Sequence, residues 1–133
     1  MQITDNRSFY YRLFLWIYAL FYILAGINHF LSAHGYLSIM PGWLPAHMFL
    51  IYLSGVIEII LGIFLLFSVT RKLASLLVIL MLISFMPAHV YMIQVAPLML
   101  GKILITPFIA WARLPFQVFF ALWAWYYYKN PGK

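Results

Sequence analysis

Residues 46–67 read AHMFLIYLSGVIEIILGIFLLF, and Glu58 is the single acid or fixed cation among them. A helix that crosses a bilayer needs about 20 mostly apolar residues. This stretch therefore predicts a transmembrane helix. Three more stretches have the same length and character, at 13–31, 73–95 and 108–128. The last belongs to an apolar run broken by Pro107, Arg113 and Pro115, so a re-entrant final segment is the alternative. In lipid only helices and closed barrels satisfy every backbone polar group, and these long runs lack the ten-residue alternation of a barrel. The predicted fold is all-α: one integral membrane domain over 1–133, a four-helix bundle. A loop rich in Pro and Trp, HGYLSIMPGWLP (34–45), joins helices 1 and 2.

Composition agrees. Hydrophobic residues make up 67% and charged residues 8% of 133, against about 45–50% and about 25% in soluble domains. That excludes a soluble globular domain, a disordered tail and a coiled coil. The net charge is +6 without a basic run, so no nucleic-acid partner is expected; the lipid bilayer is. There is no cysteine, which excludes disulfides, Cys-ligated metal centres and a thiol relay. The first apolar run exceeds a signal peptide's 7–15 residues and is expected to remain as helix 1. With four spans, Arg7, Arg12, Arg71, Lys72, Lys129 and Lys133 fall on one side, and Lys102 and Arg113 on the other. The positive-inside rule then places both termini in the cytoplasm.

Polar side chains inside apolar runs are costly and mark function by default. At about 1.5 Å per residue, Glu58 lies roughly 18 Å from the outer edge, just past the midplane. Arg113 lies roughly 8 Å below that edge and is the natural partner of Glu58, with Gln117 four residues on along the same face. His29 and His89 come out roughly 5–6 Å from the same edge. Tyr18, Tyr22, Gly26 and His29 share one face of helix 1. Pro87 frees the carbonyl of Ile83 and kinks helix 3 beside His89. Gly55 and Gly62, seven apart, provide a face for tight packing. The candidate ligand-binding set is His29, Glu58, His89, Arg113, Gln117, Tyr22 and Trp43. No HxxxH, ExxH or HExxH pattern exists, so no metal is expected. Two histidines on separate helices could in principle ligate haem, but membrane-embedded histidines are more often hydrogen-bonded, so haem is not expected.

The elements AGINHF (25–30), MPGWLP (40–45), SGVIEIILG (54–62), MPAHVYM (86–92) and RLPFQ (113–117) resemble, in order and spacing, the DoxX-like family of small four-helix membrane proteins. The motif positions fall on Gly26, His29 and Phe30; Pro41, Trp43, Leu44 and Pro45; Gly55 and Glu58; Pro87 and Ala88; and Arg113, Leu114, Pro115 and Gln117. His89 stands where relatives often carry Asn. The resemblance implies association with quinol oxidase or thiosulfate:quinone oxidoreductase complexes. More distant relatives include a receptor chaperone.

The leading expectation is a redox-associated subunit, or a binder of a quinone or other lipophile in an outer-half pocket of few polar groups and apolar walls. The alternative is a non-enzymatic assembly factor or chaperone, working with another membrane subunit or as a homodimer. A proton-coupled transporter is a third reading, and an intramembrane isomerase using Glu58 a fourth. No complete catalytic or redox centre is visible.

Overall fold

A computed structural model describes residues 6–100 and 102–132, with side chains from Phe9 onward. The elements run α1 (Asn6–Leu31), α2 (Ala33–Tyr36), a 3-10 turn (Leu37–Ile39), α3 (His47–Leu66), α4 (Ser68–Ser84), α5 (Met86–Val95), β1 (Leu98–Leu100), β2 (Ile103–Ile105) and α6 (Pro107–Lys129). The chain is mostly helical. Four stretches are long and apolar enough to cross a membrane: Phe9–Leu31, His47–Leu66, Ser68–Val95 and Pro107–Lys129.

The helix ends differ from those expected. The first helix is already formed at Asn6, the first described residue, rather than beginning at 13, because a helix can extend beyond its apolar core without adding hydropathy. The third starts at Ser68, so the turn from α3 is the single extended residue Phe67. Thr70 helps close it, donating its hydroxyl to the Phe64 carbonyl at 2.7 Å. The helix breaks at Phe85, between α4 and α5. Pro87 is the cause: it lacks the N–H that would reach Ile83, and its ring crowds that carbonyl. At α6, Thr106 caps the start by accepting from the Ile109 amide at 3.2 Å, and Pro107 takes the first turn.

Leu98–Leu100 and Ile103–Ile105 pair as antiparallel strands that hydropathy did not reveal, with Leu98 opposite Ile105 and Leu100 opposite Ile103. Ile105 packs with Ile39, Met92 and Ala110 in a small core at that end of the bundle. Ser38 ties the 3-10 turn to β1 by donating to the Met99 carbonyl at 3.1 Å. His47 donates to the Pro41 carbonyl at 3.0 Å and holds the approach to α3. There Ala46 takes a left-handed backbone, φ 50° and ψ 56°, uncommon for a residue with a Cβ.

The two faces of α1 pack differently. Against α3 the backbones touch. A Cβ on Gly26 would lie 2.5 Å from the Gly55 carbonyl oxygen, and one on Gly62 would lie 2.8 Å from the Ala19 carbonyl oxygen. Against α6 the contact is made by rings. Tyr18 stacks on Trp123 at 4.5 Å between centroids, and Phe21 on Phe120 at 4.8 Å. Tyr18 donates to the Phe120 carbonyl at 2.7 Å, so its oxygen accepts from Tyr22 at 3.0 Å. Overfilling the glycine seam should therefore be costly. Gly26→Val should destabilise by about 1–3 kcal/mol, read as the midpoint of thermal unfolding in detergent, while Gly42→Ala, with open space around it, should be near neutral.

At the opposite end, Arg71 is buried rather than lying in a charged flank. Its guanidinium donates to the carbonyls of Leu65 (2.7 Å), Leu66 (2.9 Å) and Pro131 (2.5 Å). It thus satisfies the last turn of α3 and holds the C-terminal tail. Tyr11 meets the same tail, donating to the Asn130 carbonyl at 2.6 Å. The start of α1, the α3–α4 turn and the end of α6 are therefore gathered at one end. Arg12, Lys72 and Lys129 are exposed there. Lys133 and the side chain of Arg7, both part of the expected charge asymmetry, lie outside the described residues.

Candidate functional site

The glycine seam sets up the first polar contact. Gly55 lies against the Cβ of His29, which brings the imidazole directly onto α3. His29 Nε2 stands 2.9 Å from Glu58 Oε2, and both residues are buried. His29 Nδ1 lies 3.0 Å from the Ile51 carbonyl and 2.9 Å from Ser54 Oγ. A carbonyl only accepts, so Nδ1 carries a proton. Ser54 donates to the same carbonyl at 2.9 Å. Nε2 and Oε2 approach closely enough to share one further proton. The pair is neutral overall whether that proton rests on the imidazole or on the carboxyl.

This corrects the expected Glu58–Arg113 pairing. Among the described residues the one ion pair is His29–Glu58. The depth count failed because the helices are staggered. Glu58 lies eleven residues past His47 at the start of α3, about 16 Å, whereas His29 lies two residues before the end of α1, about 3 Å. Residues 32–46 make up the difference by rising over the end of α1.

The remaining polar groups converge on one cavity of about 990 Å³. Tyr22, His29, Glu58, His89, Arg113 and Gln117 all line it, with Asn28, Ser54 and Tyr36 beside them. His89 Nδ1, Arg113 Nε and Gln117 Oε1 are buried, with no hydrogen-bond partner among the described residues. Glu58 Oε2 also lacks a well-formed hydrogen bond, but it faces His29 Nε2 at 2.9 Å. Buried polar atoms are nearly always paired, so the three that face no partner at all, around one space, are a concentrated exception. They come from the adjoining α5 and α6, while the closed His29–Glu58 pair comes from α1 and α3.

Trp43 does not join them. It is 71% exposed and borders a separate recess with Pro41, Tyr91 and Gln94. Its segment turns it away while Ile39 takes the buried position. Tyr18 is buried behind Tyr22 and does not line the cavity.

Sequence reading missed Asn28 and Tyr36. The Tyr36 ring packs on His29 at 4.3 Å between centroids, and its oxygen accepts from the Asn28 amide at 3.0 Å. Burial holds the Tyr36 phenol above its ordinary range, partly offset by the Asn28 hydrogen bond, with Glu58 pushing it further up and Arg113 down. The phenol keeps its proton at neutral pH and is a donor toward the cavity. Asn28 adjoins His29 in the sequence; Tyr36 carried no signal beyond its place in the loop.

No group of three or more His, Cys, Asp or Glu suited to a metal ion occurs among the described residues. A family model described as a domain of unknown function matches residues 18–128. The chain belongs to the DUF8561 family. No curated protein and no solved structure matches it. The DUF8561 match spans every cavity residue named above and Arg71, but not Tyr11 or Pro131. It provides no link to the DoxX-like family.

Proposed function

We propose that this protein is an integral membrane binder of a small lipophilic molecule, held by its polar end among His89, Arg113 and Gln117. The observation that carries the reading is the convergence of three unpartnered buried polar atoms on one largely apolar cavity. Leaving such atoms unmade costs about 1–3 kcal/mol each, and a bound oxygen-rich group would relieve it. Arg113 and Tyr36 supply donors, Gln117 Oε1 and Tyr22 supply acceptors, and His89 Nδ1 serves as either. A quinone-like molecule fits through its ring oxygens, as would another lipophile with a compact polar end. On this reading the DoxX-like resemblance points to a redox-associated subunit. The gathered ends of α1 and α6 face the cytoplasm, and residues 34–45 cap the chamber from the outer side. A non-enzymatic assembly partner is the second reading. It is favoured by α6, the least buried of the four spans, which exposes Phe116, Phe119 and Leu122.

The test is native mass spectrometry of protein released from mild detergent, for wild type, Arg113→Leu and His89→Phe. A defined molecule retained by wild type and lost from both folded variants is the expected result. Bulk lipid alone in all three samples would sink the pocket reading. Arg113 also gives a stability signature. Its guanidinium lacks an ion-pair partner among the described residues. Arg113→Leu should therefore stabilise the empty protein by roughly 1–2 kcal/mol, seen as a higher unfolding temperature after ligand is stripped. A loss of stability would assign Arg113 to the scaffold instead.

A further inference from the structure

The cavity does not end at the polar chamber. Its wall continues along Ile57, Ile60 and Phe64 of α3 and Leu73, Leu77 and Leu80 of α4. These residues recur at helical spacing on one face of each helix, and all six are exposed on the outside of the bundle. From Phe64 back to Leu53, also in the wall, the groove runs about 16 Å along the axis. The chamber therefore communicates sideways with the surface that lipid covers.

Charge adds a second constraint. The chain has two acids, Asp5 and Glu58. Asp5 lies outside the described residues, and Glu58 is engaged by His29 in a pair that is neutral overall. The chamber so described carries the charge of Arg113 beside a pair that is neutral overall. In a low-dielectric setting an unpaired cation favours a negatively charged partner.

We propose that the site takes a long-chain anionic amphiphile, its carboxylate-like or phosphate-like head against Arg113 and its chain in the groove between α3 and α4, entering sideways from the bilayer. This rests on the pocket reading above and adds the charge of the head and the position of the chain.

The test uses the full chain in phosphatidylcholine vesicles with palmitate carrying a diazirine at mid-chain. Crosslinks are mapped by peptide mass spectrometry. The α3–α4 groove should be labelled about tenfold above lipid-facing Leu122 and Trp125 of α6, a preference of about 1.4 kcal/mol. Unlabelled palmitate should suppress the excess, the matching diazirine 1-hexadecanol should not show it, and Arg113→Gln should lose it. Even labelling of all four spans, or equal enrichment by the neutral alcohol, would overturn the proposal. The palmitate–hexadecanol comparison needs no variant and holds even where Arg113→Gln misfolds. Overturned labelling beside an Arg113-dependent retained molecule removes the anionic-chain inference alone. Overturned labelling with no retained molecule removes the pocket reading as well.

Discussion

Replacing His29 by leucine should cost about 3 kcal/mol of stability, and adding Glu58→Leu should recover most of it. The lone His29→Leu change leaves a buried carboxyl without its imidazole. Breaking a buried pair is far costlier than replacing both partners by apolar groups. The measurement is a double-mutant cycle on reversible unfolding in detergent, with His29→Leu, Glu58→Leu and the combination. Additive losses would mean that the two side chains act independently and that the 2.9 Å contact is incidental. The double variant also separates scaffold from site. If it is stable yet retains no ligand, the pair serves binding; if it is stable and retains ligand, the pair serves only the seam.

The second large effect concerns Arg71. Arg71→Met should destabilise by about 3 kcal/mol, since charge-assisted hydrogen bonds contribute about 1.5–3 kcal/mol each and are not additive. Three carbonyls, on Leu65, Leu66 and Pro131, lose their shared donor. Arg71→Lys should recover little, because a single ammonium cannot reach in three directions as the planar guanidinium does. Unfolding midpoints of the two variants decide this. Full recovery by lysine would show that charge alone matters at that end.

Residues 46–67 and their three counterparts made the membrane-helix architecture legible, because a long apolar run has few physical outcomes. Helix ends were less legible. Asn6 to Arg12 and Ser68 to Lys72 mix polar residues with Phe9, Tyr10, Tyr11 and Val69 and are helical, and hydropathy does not register a helix that extends beyond its apolar core. Strands of three residues, as in 98–105, carry too little periodicity to announce themselves. At the site, residue types were informative: buried His, Glu, Arg and Gln in apolar runs are rare enough to single out. Their pairing was not. It depends on the stagger between α1 and α3, set by residues 32–46 and by how closely Gly26 approaches Gly55, and neither is written in the period of one helix. Arg71 was read as a flanking charge because its partners are carbonyls, which every residue carries.

The glycine contact between α1 and α3 has a mechanical side. Two helices whose backbones touch cannot slide without climbing over Ala19, Ile23 or Ile59, so α1 and α3 move as one stiff plate. The joint between α1 and α6 is a stack of flat rings pinned at one point by the Tyr18 hydrogen bond to the Phe120 carbonyl, a contact of side chains rather than of backbones. If the chamber holds a guest as proposed, widening it would fall to α6 and to α5, which bends away from α4 at Phe85. The His29–Glu58 pair rides on the plate and the three open polar atoms on α5 and α6, so a guest bridging them would act as the latch between the two.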